Sequence, residues 1–228
     1  HHDVPFIEEE EIKKYVVPPA DAVINPKQKD CAYPFKLLCG GGIAFKLVQC
    51  LYEQMGIDRD ECEEYIQYAA IATICDVVDL VDENRIIAKY GLSMLNKTEN
   101  IGLKALINEC ALEDKSITVY HIGFIIGPCI NATGRLETAK LSVKLLLAED
   151  YEKAKELARK LKELNIERQN ITSQGVERAE RIIENNHMDK DKVLVIYDEE
   201  THESVAGIVA GRIKEKYNLP TLILTKGK

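Results

Sequence analysis

The stretch from Tyr151 to Asn185 constrains this chain more than any other, because it holds no proline and a single glycine, Gly175. Ala154, Leu157, Ala158, Leu161, Leu164, Ile171, Val176, Ala179, Ile182 and Ile183 recur in it at helical spacing among charged residues. That pattern is an amphipathic helix with one apolar stripe. At ~1.5 Å per residue it reaches roughly 50 Å, longer than a small domain is wide, which predicts a helix that bridges two domains. The alternative is two shorter helices broken near Gly175.

The flanking sequence differs on the two sides. Beyond the long helix come Lys192-Val193-Leu194-Val195-Ile196-Tyr197, a helical pattern from Glu203 to Tyr217, and Thr221-Leu222-Ile223-Leu224. Strand, helix and strand in that order predict a βαβ unit with parallel strands. Two strands do not make a free-standing sheet, so this tail is expected to belong to a domain that continues in a longer parent. At the other end an acidic run, Glu8-Glu9-Glu10-Glu11, leads into Tyr15-Val16-Val17 and Ala22-Val23-Ile24, read as strands and punctuated by Pro18-Pro19 and Asn25-Pro26.

From Gly40-Gly41-Gly42 the spacing turns helical, with Ile43, Phe45, Leu47, Val48, Leu51 and Met55 on one stripe. Asp58 with Glu61 three residues on resembles a capping arrangement for a second helix through Tyr65, Ala69, Ala70 and Ile74 toward Asp76. Shorter helical segments are expected near residues 85–95, 101–110, 117–126 and 138–148. The fold class is therefore α/β, helix-rich in its first part.

No run of about 18 uncharged apolar residues occurs, and no basic segment followed by an apolar one opens the chain, so neither a membrane span nor a secretory signal is expected and the cytoplasm is the default compartment. The seven cysteines form no CxxC pair and are read as reduced thiols. A net charge of -8 is the wrong sign for holding nucleic acid by bulk electrostatics. Only local chemistry reverses that exclusion: a bound divalent metal makes an acidic site attractive to phosphate.

Several residues carry such chemistry. Asp76 lies within Ala72-Thr73-Ile74-Cys75-Asp76-Val77-Val78, where an ionised carboxylate among apolar neighbours needs a partner, either a metal ion or a basic side chain. Asp79 and Asp82 follow at what the pattern reads as a helix C-terminus, where the dipole disfavours them. His1-His2-Asp3 offers two imidazoles and a carboxylate, a set that suits a borderline divalent ion, although two leading histidines also look like the remnant of a purification tag. Gly127-Pro128-Cys129-Ile130-Asn131-Ala132-Thr133-Gly134-Arg135 reads as a Gly/Pro-rich loop in which Asn131 and Arg135 are candidates to bind phosphate; the plainer view makes Asn131 a turn former and Arg135 a surface charge. His202, between a strand and a helix, falls at the carboxyl edge of a parallel sheet, where ligands usually sit. The glycine run lacks the lysine and spacing of a nucleotide-binding loop, and close backbone packing is its expected job.

Taken together these stretches resemble the DHH phosphoesterase family, and within it the single-strand-specific DNA exonucleases, along the whole chain. His1-His2-Asp3-Val4-Pro5 resembles the end of the Asp-His-His motif that names the family, with the aspartate absent. Ala22-Val23-Ile24-Asn25-Pro26-Lys27-Gln28 and Tyr33-Pro34-Phe35-Lys36 resemble the segment after it. Ala72 through Leu80 with Glu83-Asn84-Arg85 resembles the next motif, whose metal-binding aspartate falls on Asp76. Gly127 through Leu136 resembles an arginine-bearing motif that contacts phosphates, with Cys129 where arginine is common. His202 through Ala210 resembles the second, DHHA1-type domain, whose histidine faces the active-site cleft.

The resemblance implies a parallel-sheet DHH domain, here its C-terminal part over 1–149, a long connecting helix over 150–187, and the start of a DHHA1 α/β domain over 188–228. It implies metal ligands His1, His2 and Asp76, phosphate or nucleic-acid contacts at Asn131, Arg135 and His202, and two Mn²⁺ or Mg²⁺ ions. The implied activity is metal-dependent 5′ to 3′ hydrolysis of single-stranded DNA in repair and recombination, releasing 5′-mononucleotides, with a helicase and a single-strand-binding protein as possible partners. The family's first two aspartate motifs and its GSGRS-like segment are not in this sequence, so weak metal binding and little or no activity are expected of the isolated chain. Two other readings fit the same motifs: a family member acting on short oligonucleotides, cyclic dinucleotides or pyrophosphate, or a non-catalytic scaffold, against which intact His1, His2 and Asp76 speak.

Overall fold

The computed structural model describes residues 1–9 and 12–227. Glu10 and Glu11 of the acidic run, and Lys228, lie outside the described residues. The chain packs into two compact units, one made of His1–Glu99 with Asp114–Gly127, the other of Asn100–Glu113 with Pro128–Lys228. Among the described residues no helix is long and apolar enough to cross a membrane.

The first unit opens with an antiparallel hairpin, β1 (Phe6–Glu9) and β2 (Ile12–Tyr15), in which Phe6 faces Tyr15 across the ladder. Strands expected at Tyr15–Val17 and Ala22–Ile24 do not form: β2 ends at Tyr15, and residues 22–24 have no regular structure. The two prolines after Val17 remove the amide donors that a continuing ladder requires.

Helix α1 (Gly40–Gln54) begins at Cys39, whose Sγ accepts a hydrogen bond from the Gly42 N–H at 3.3 Å. Asp58 accepts from the Asp60 N–H at 3.0 Å and starts not an α-helix but a 3₁₀ turn, Arg59–Tyr65, which runs on into α2 (Ile66–Cys75). Helix α3 (Asp82–Leu95) packs on α2 around Leu38, Phe45, Ala69, Ala70 and Ile87, with Tyr33, Ile43 and Ile66 at the margin of that core. The approach is unusually close. A Cβ on Gly91 would lie 2.3 Å from Ala70 Cβ and 2.6 Å from the Ile66 carbonyl, and one on Gly41 would lie 2.4 Å from Ala72 Cβ. Gly41 of the glycine run thus sits directly against the Ala72 methyl of α2.

The second unit is organised by helix α8 (Tyr151–Asn185), one uninterrupted helix of 35 residues capped by the Asp150 side chain. It does not break at Gly175, because that bare position accommodates Val209 of α9 (Glu203–Tyr217); a Cβ there would come within 2.9 Å of Val209 Cγ2. Helices α4 (Ile101–Glu109) and α7 (Lys140–Leu146) pack along its first half. Its second half buries Ala179 and Ile183 with Leu194, Ile196, Val209 and Ile213. Strands β3 (Leu194–Tyr197) and β4 (Thr221–Leu224) pair in parallel around α9, as the βαβ pattern predicts. Asn218, in the left-handed conformation, ends α9 two residues before Pro220. The fold is mixed α/β and helix-rich.

The stretch read as a Gly/Pro-rich loop is instead helical. A short helix α5 (Val119–His121) passes through a π turn, Ile122–Ile126, directly into α6 (Gly127–Leu136). Pro128 comes just after the π turn within this continuous run, and neither it nor the flanking glycines break the helix.

Candidate functional site

In the first unit, Asp76 is the C-cap of α2, its backbone N–H bonded to the carbonyls of Ala72 and Ile74. Its side chain is 46% exposed rather than buried, so the desolvation argument made from its apolar neighbours does not apply. The reason is local: Val77 takes a left-handed φ of 53° and turns the chain outward with its own side chain 87% exposed. A β-branched residue in that region is strained by roughly 1–2 kcal/mol, a cost that clusters at functional sites. Asp82 opens α3 rather than closing a helix, and with Glu83 it sits in the first turn, where the dipole favours negative charge.

His1 lies beside Asp76, with Nε2 3.6 Å from Asp76 Oδ2. Gly40 leaves it room, since a Cβ there would approach His1 Nδ1 to 3.2 Å. The ring of His2 packs on that of His1 with centroids 4.0 Å apart. The segment after the hairpin holds this end of the chain. Asn25 Nδ2 donates to the His2 carbonyl at 2.9 Å, and Lys27 Nζ donates to Asp3 at 2.9 Å, which holds the Asp3 carboxyl below its ordinary pKa. Opposite, the buried Asn84 amide donates to the carbonyls of Leu37 and Asp79 at 2.8 and 3.0 Å, fixing the loop that follows Asp76. Tyr33, pushed up to about 12 by burial and by Glu83, donates its hydroxyl to that carboxylate at 2.8 Å. His1, Lys27, Leu37, Leu38, Val77, Val78 and Asp79 line a cavity of about 220 Å³.

Two donors each about 2.1 Å from one ion stand roughly 3–3.6 Å apart. An imidazole and a carboxylate at the observed spacing fit as two ligands of one divalent ion. Among the described residues, no three His, Cys, Asp or Glu side chains converge on such a point.

Asn131, Arg135 and His202 belong to the second unit. His202 is the N-cap of α9: its Nδ1 accepts from the Ser204 N–H at 3.2 Å and lies 2.7 Å from Ser204 Oγ. An Nδ1 that accepts a backbone proton places the neutral imidazole's own proton on Nε2, where it can be donated to a ligand. Arg135, in the last turn of α6, donates from Nη1 to the Ser204 carbonyl at 2.8 Å, so the structure brings Arg135 and His202 together through Ser204. Asn131 is exposed on the same helix.

Two arginines that the sequence did not single out join them. Burial, together with repulsion from Arg135 and Arg212, holds Arg168 below its ordinary pKa, and its Nε is buried without a partner. A guanidinium that feels the charge of two others favours an anion. Nothing in the sequence separates an arginine of this kind from the solvated charges around it on α8 and α9.

The loop presenting His202 is fastened by Asp198, 6% exposed, which accepts from Arg178 Nε at 2.9 Å and from Thr201 Oγ1. Burial alone would raise the Asp198 pKa, but the hydrogen bonds from Thr201, Arg178 and the Glu200 N–H outweigh it and leave it below its ordinary 3.8. A depressed carboxylate contributes stability above its unfolded pKa and loses it as pH falls through the folded value. Asp198→Asn is therefore expected to cost about 2 kcal/mol at pH 7 and to flatten the loss of stability below about pH 4. Urea midpoints at pH 7 and pH 3 check this; equal losses in both proteins would refute the assignment.

The comparisons with known proteins bear on this geometry. No protein-family model matches the chain. Over 208 residues, 91% of the chain, it is 37% identical to the single-stranded-DNA-specific exonuclease RecJ of Bacillus subtilis. This chain is homologous to part of RecJ. The RecJ of Escherichia coli is 33% identical over 90% of the chain. A crystal structure of exonuclease RecJ bound to manganese superposes with a TM-score of 0.79 at 32% identity, covering 93% of this chain and 52% of that one. The crystal structure of Thermus thermophilus RecJ in complex with Mg²⁺ gives a TM-score of 0.75 at 30% identity, covering 86% of this chain and 30% of that one. The chain spans 26% of the B. subtilis RecJ and 38% of the E. coli RecJ.

Proposed function

We propose that this chain is part of a metal-dependent exonuclease of the RecJ type that hydrolyses phosphodiester bonds of single-stranded DNA from the 5′ end, in DNA repair and recombination. The observation that carries the reading is the pairing of His1 with Asp76, residues from distant parts of the sequence whose donor atoms lie 3.6 Å apart.

In this reading His1 and Asp76, with His2 beside them, hold Mn²⁺ or Mg²⁺ in the longer protein. When bound, the ions supply charge neutralisation at the scissile phosphate and lower the pKa of water. Arg135 and the Nε2–H of His202 bind phosphate oxygens, with Asn131 on the same helix as a further contact. The segments 1–149, 150–187 and 188–228 correspond to a DHH portion, a connecting helix and the start of a DHHA1 portion. Single-stranded DNA is the substrate, the cytoplasm the compartment, and a helicase and a single-strand-binding protein the expected partners. Carrying only some of the ligands, the 228-residue chain alone is expected to be nearly inactive.

The test uses the full-length protein with 5′-labelled single-stranded and duplex DNA in Mn²⁺. Labelled mononucleotides released from the single strand alone, and blocked by chelation, are the expected result. Equal attack on duplex DNA, or cleavage only of dinucleotide-length substrates, would overturn the reading.

A further inference from the structure

We infer that the stacked rings of Tyr120 and Phe124 are a platform on which a nucleobase of the single strand stacks, a binding site in the first unit that accepts any base. The inference rests on the reading of the chain as part of a single-strand exonuclease. Tyr120 and Phe124 stand four residues apart on the helical run that starts at α5, a spacing that brings side chains together on one face. Their ring centroids lie 5.0 Å apart, with the planes 28° from parallel. Tyr120 is nevertheless 61% exposed and Phe124 69%. With one side of Phe124 turned to Tyr120, exposure that high leaves its other side open to solvent.

The backbone under the rings is held from both directions. Before them, the Asn96 amide donates to the Ile117 carbonyl at 2.9 Å and accepts from the Ile117 N–H at 2.7 Å, and His121 Nδ1 accepts from the Thr118 N–H at 3.1 Å. Ile122 and Ile126 of the π turn, on either side of Phe124, are fully buried. Turns of this kind often mark functional positions. The same turn seats on the end of α2. Cys75 Sγ lies 4.0 Å from the Ile122 carbonyl oxygen, and a Cβ on Gly123 would meet Ile74 Cγ2 at 3.9 Å. A Cβ on Gly127 would fall 2.3 Å from Cys75 Sγ, so only glycine allows so close a seat. Asp76 is the next residue of α2. The rings are therefore presented on the turn that adjoins the candidate metal ligand.

Size and chemistry select the occupant. Phe and Tyr side chains carry about 150–250 Å² each, so two rings exposed to this degree offer on the order of 200–300 Å². A stable protein interface buries about 800 Å² per partner, whereas a flat patch of this area matches one base. Every base has a π-face, so stacking tolerates any sequence, as removal of one nucleotide after another requires. Stacking also grips a strand without positive charge, which suits a chain of net charge -8.

The test measures binding of two fluorescent strands of equal length to the full-length protein in chelator, where hydrolysis stops. One strand is oligothymidylate and the other is a chain of abasic sugar-phosphate units. Phe124→Ala is expected to weaken binding of oligothymidylate about tenfold and to leave the abasic strand unchanged. Phe124→Trp should keep the affinity, and Phe124→Leu, apolar but not flat, should behave like the alanine variant. Equal losses on both strands, or none on either, would overturn the platform. So would a lower melting temperature in Phe124→Ala that leucine restores, because the ring would then be covered by another segment of the protein. Cleavage of single strands by the wild type separates these results from failure of the proposed function: if the platform alone is wrong, the wild type still cleaves while Phe124→Ala matches it on both strands. A wild type that neither binds nor cleaves single strands overturns both.

Discussion

Asp76→Ala in the full-length protein is expected to lower metal-dependent release of nucleotides from single-stranded DNA by about a hundredfold or more, because under the proposed function it removes a direct ligand rather than a supporting group. The fold should survive the change. Asp76 closes α2 through its backbone, its side chain is half exposed, and among the described residues it pairs with His1. Truncating an exposed side chain of this kind usually alters stability by no more than about 0.5 kcal/mol. Activity and stability should therefore separate. A variant with unchanged melting behaviour and full activity would remove Asp76 from the metal site. A variant that loses both would show that the loop, rather than the ligand, had been damaged. Asp76→Asn, which keeps the shape but not the charge, should fall nearly as far.

Gly102→Ala is expected to destabilise the protein by about 3–5 kcal/mol, at the upper end for a single added methyl. The N-terminus of α4 docks on the C-terminus of α7. Asn100 caps α4 by accepting from the Leu103 N–H at 2.8 Å, and its Nδ2 donates to the Leu146 carbonyl at 2.8 Å. Gly102 lies in that contact. A Cβ would fall 1.9 Å from the Leu145 carbonyl oxygen and 2.6 Å from its carbon. Backbone atoms do not rotate aside as a side chain does, so the two helices must part, taking the Asn100 bond and the buried Leu103 and Leu145 with them. Gly211→Ala is the control. On α9, with nothing within 4 Å of its Cβ position, it should be neutral or stabilise by about 0.5–1 kcal/mol. Urea titration of the two variants side by side decides it, and similar midpoints would contradict the clash.

Elements with long, regular periodicity were legible in the sequence. Helix α8, the β3–α9–β4 unit and α1 all declare themselves by apolar spacing, and shorter helices fell close to their expected places. Where spacing gives way to particular contacts, legibility stops. Residues Gly127 to Arg135 look like a loop because glycine and proline are common there, yet the helical run from Val119 continues through Pro128. The π turn at Ile122–Ile126 has no compositional mark. Ala22–Ile24 has β-branched character without forming a strand, and the neighbouring Asn25 and Lys27 fasten the segment to His2 and Asp3 instead. Asp76 could be singled out, but its exposure could not, because that depends on Val77 turning through a conformation valine disfavours. Arg168 and Arg212 draw their interest entirely from their neighbours in space.

The close seat of α2 has a consequence for how sequences of this kind vary. Gly41 and Gly91 press on α2 through distances that no Cβ tolerates, and every other amino acid has a Cβ. Any missense change in either codon therefore wedges apart the helix that ends at Asp76. A random mutational scan selecting for function should show two depleted positions, each well away from Asp76 along the sequence and neither a ligand. Read without the structure, they would pass for active-site residues.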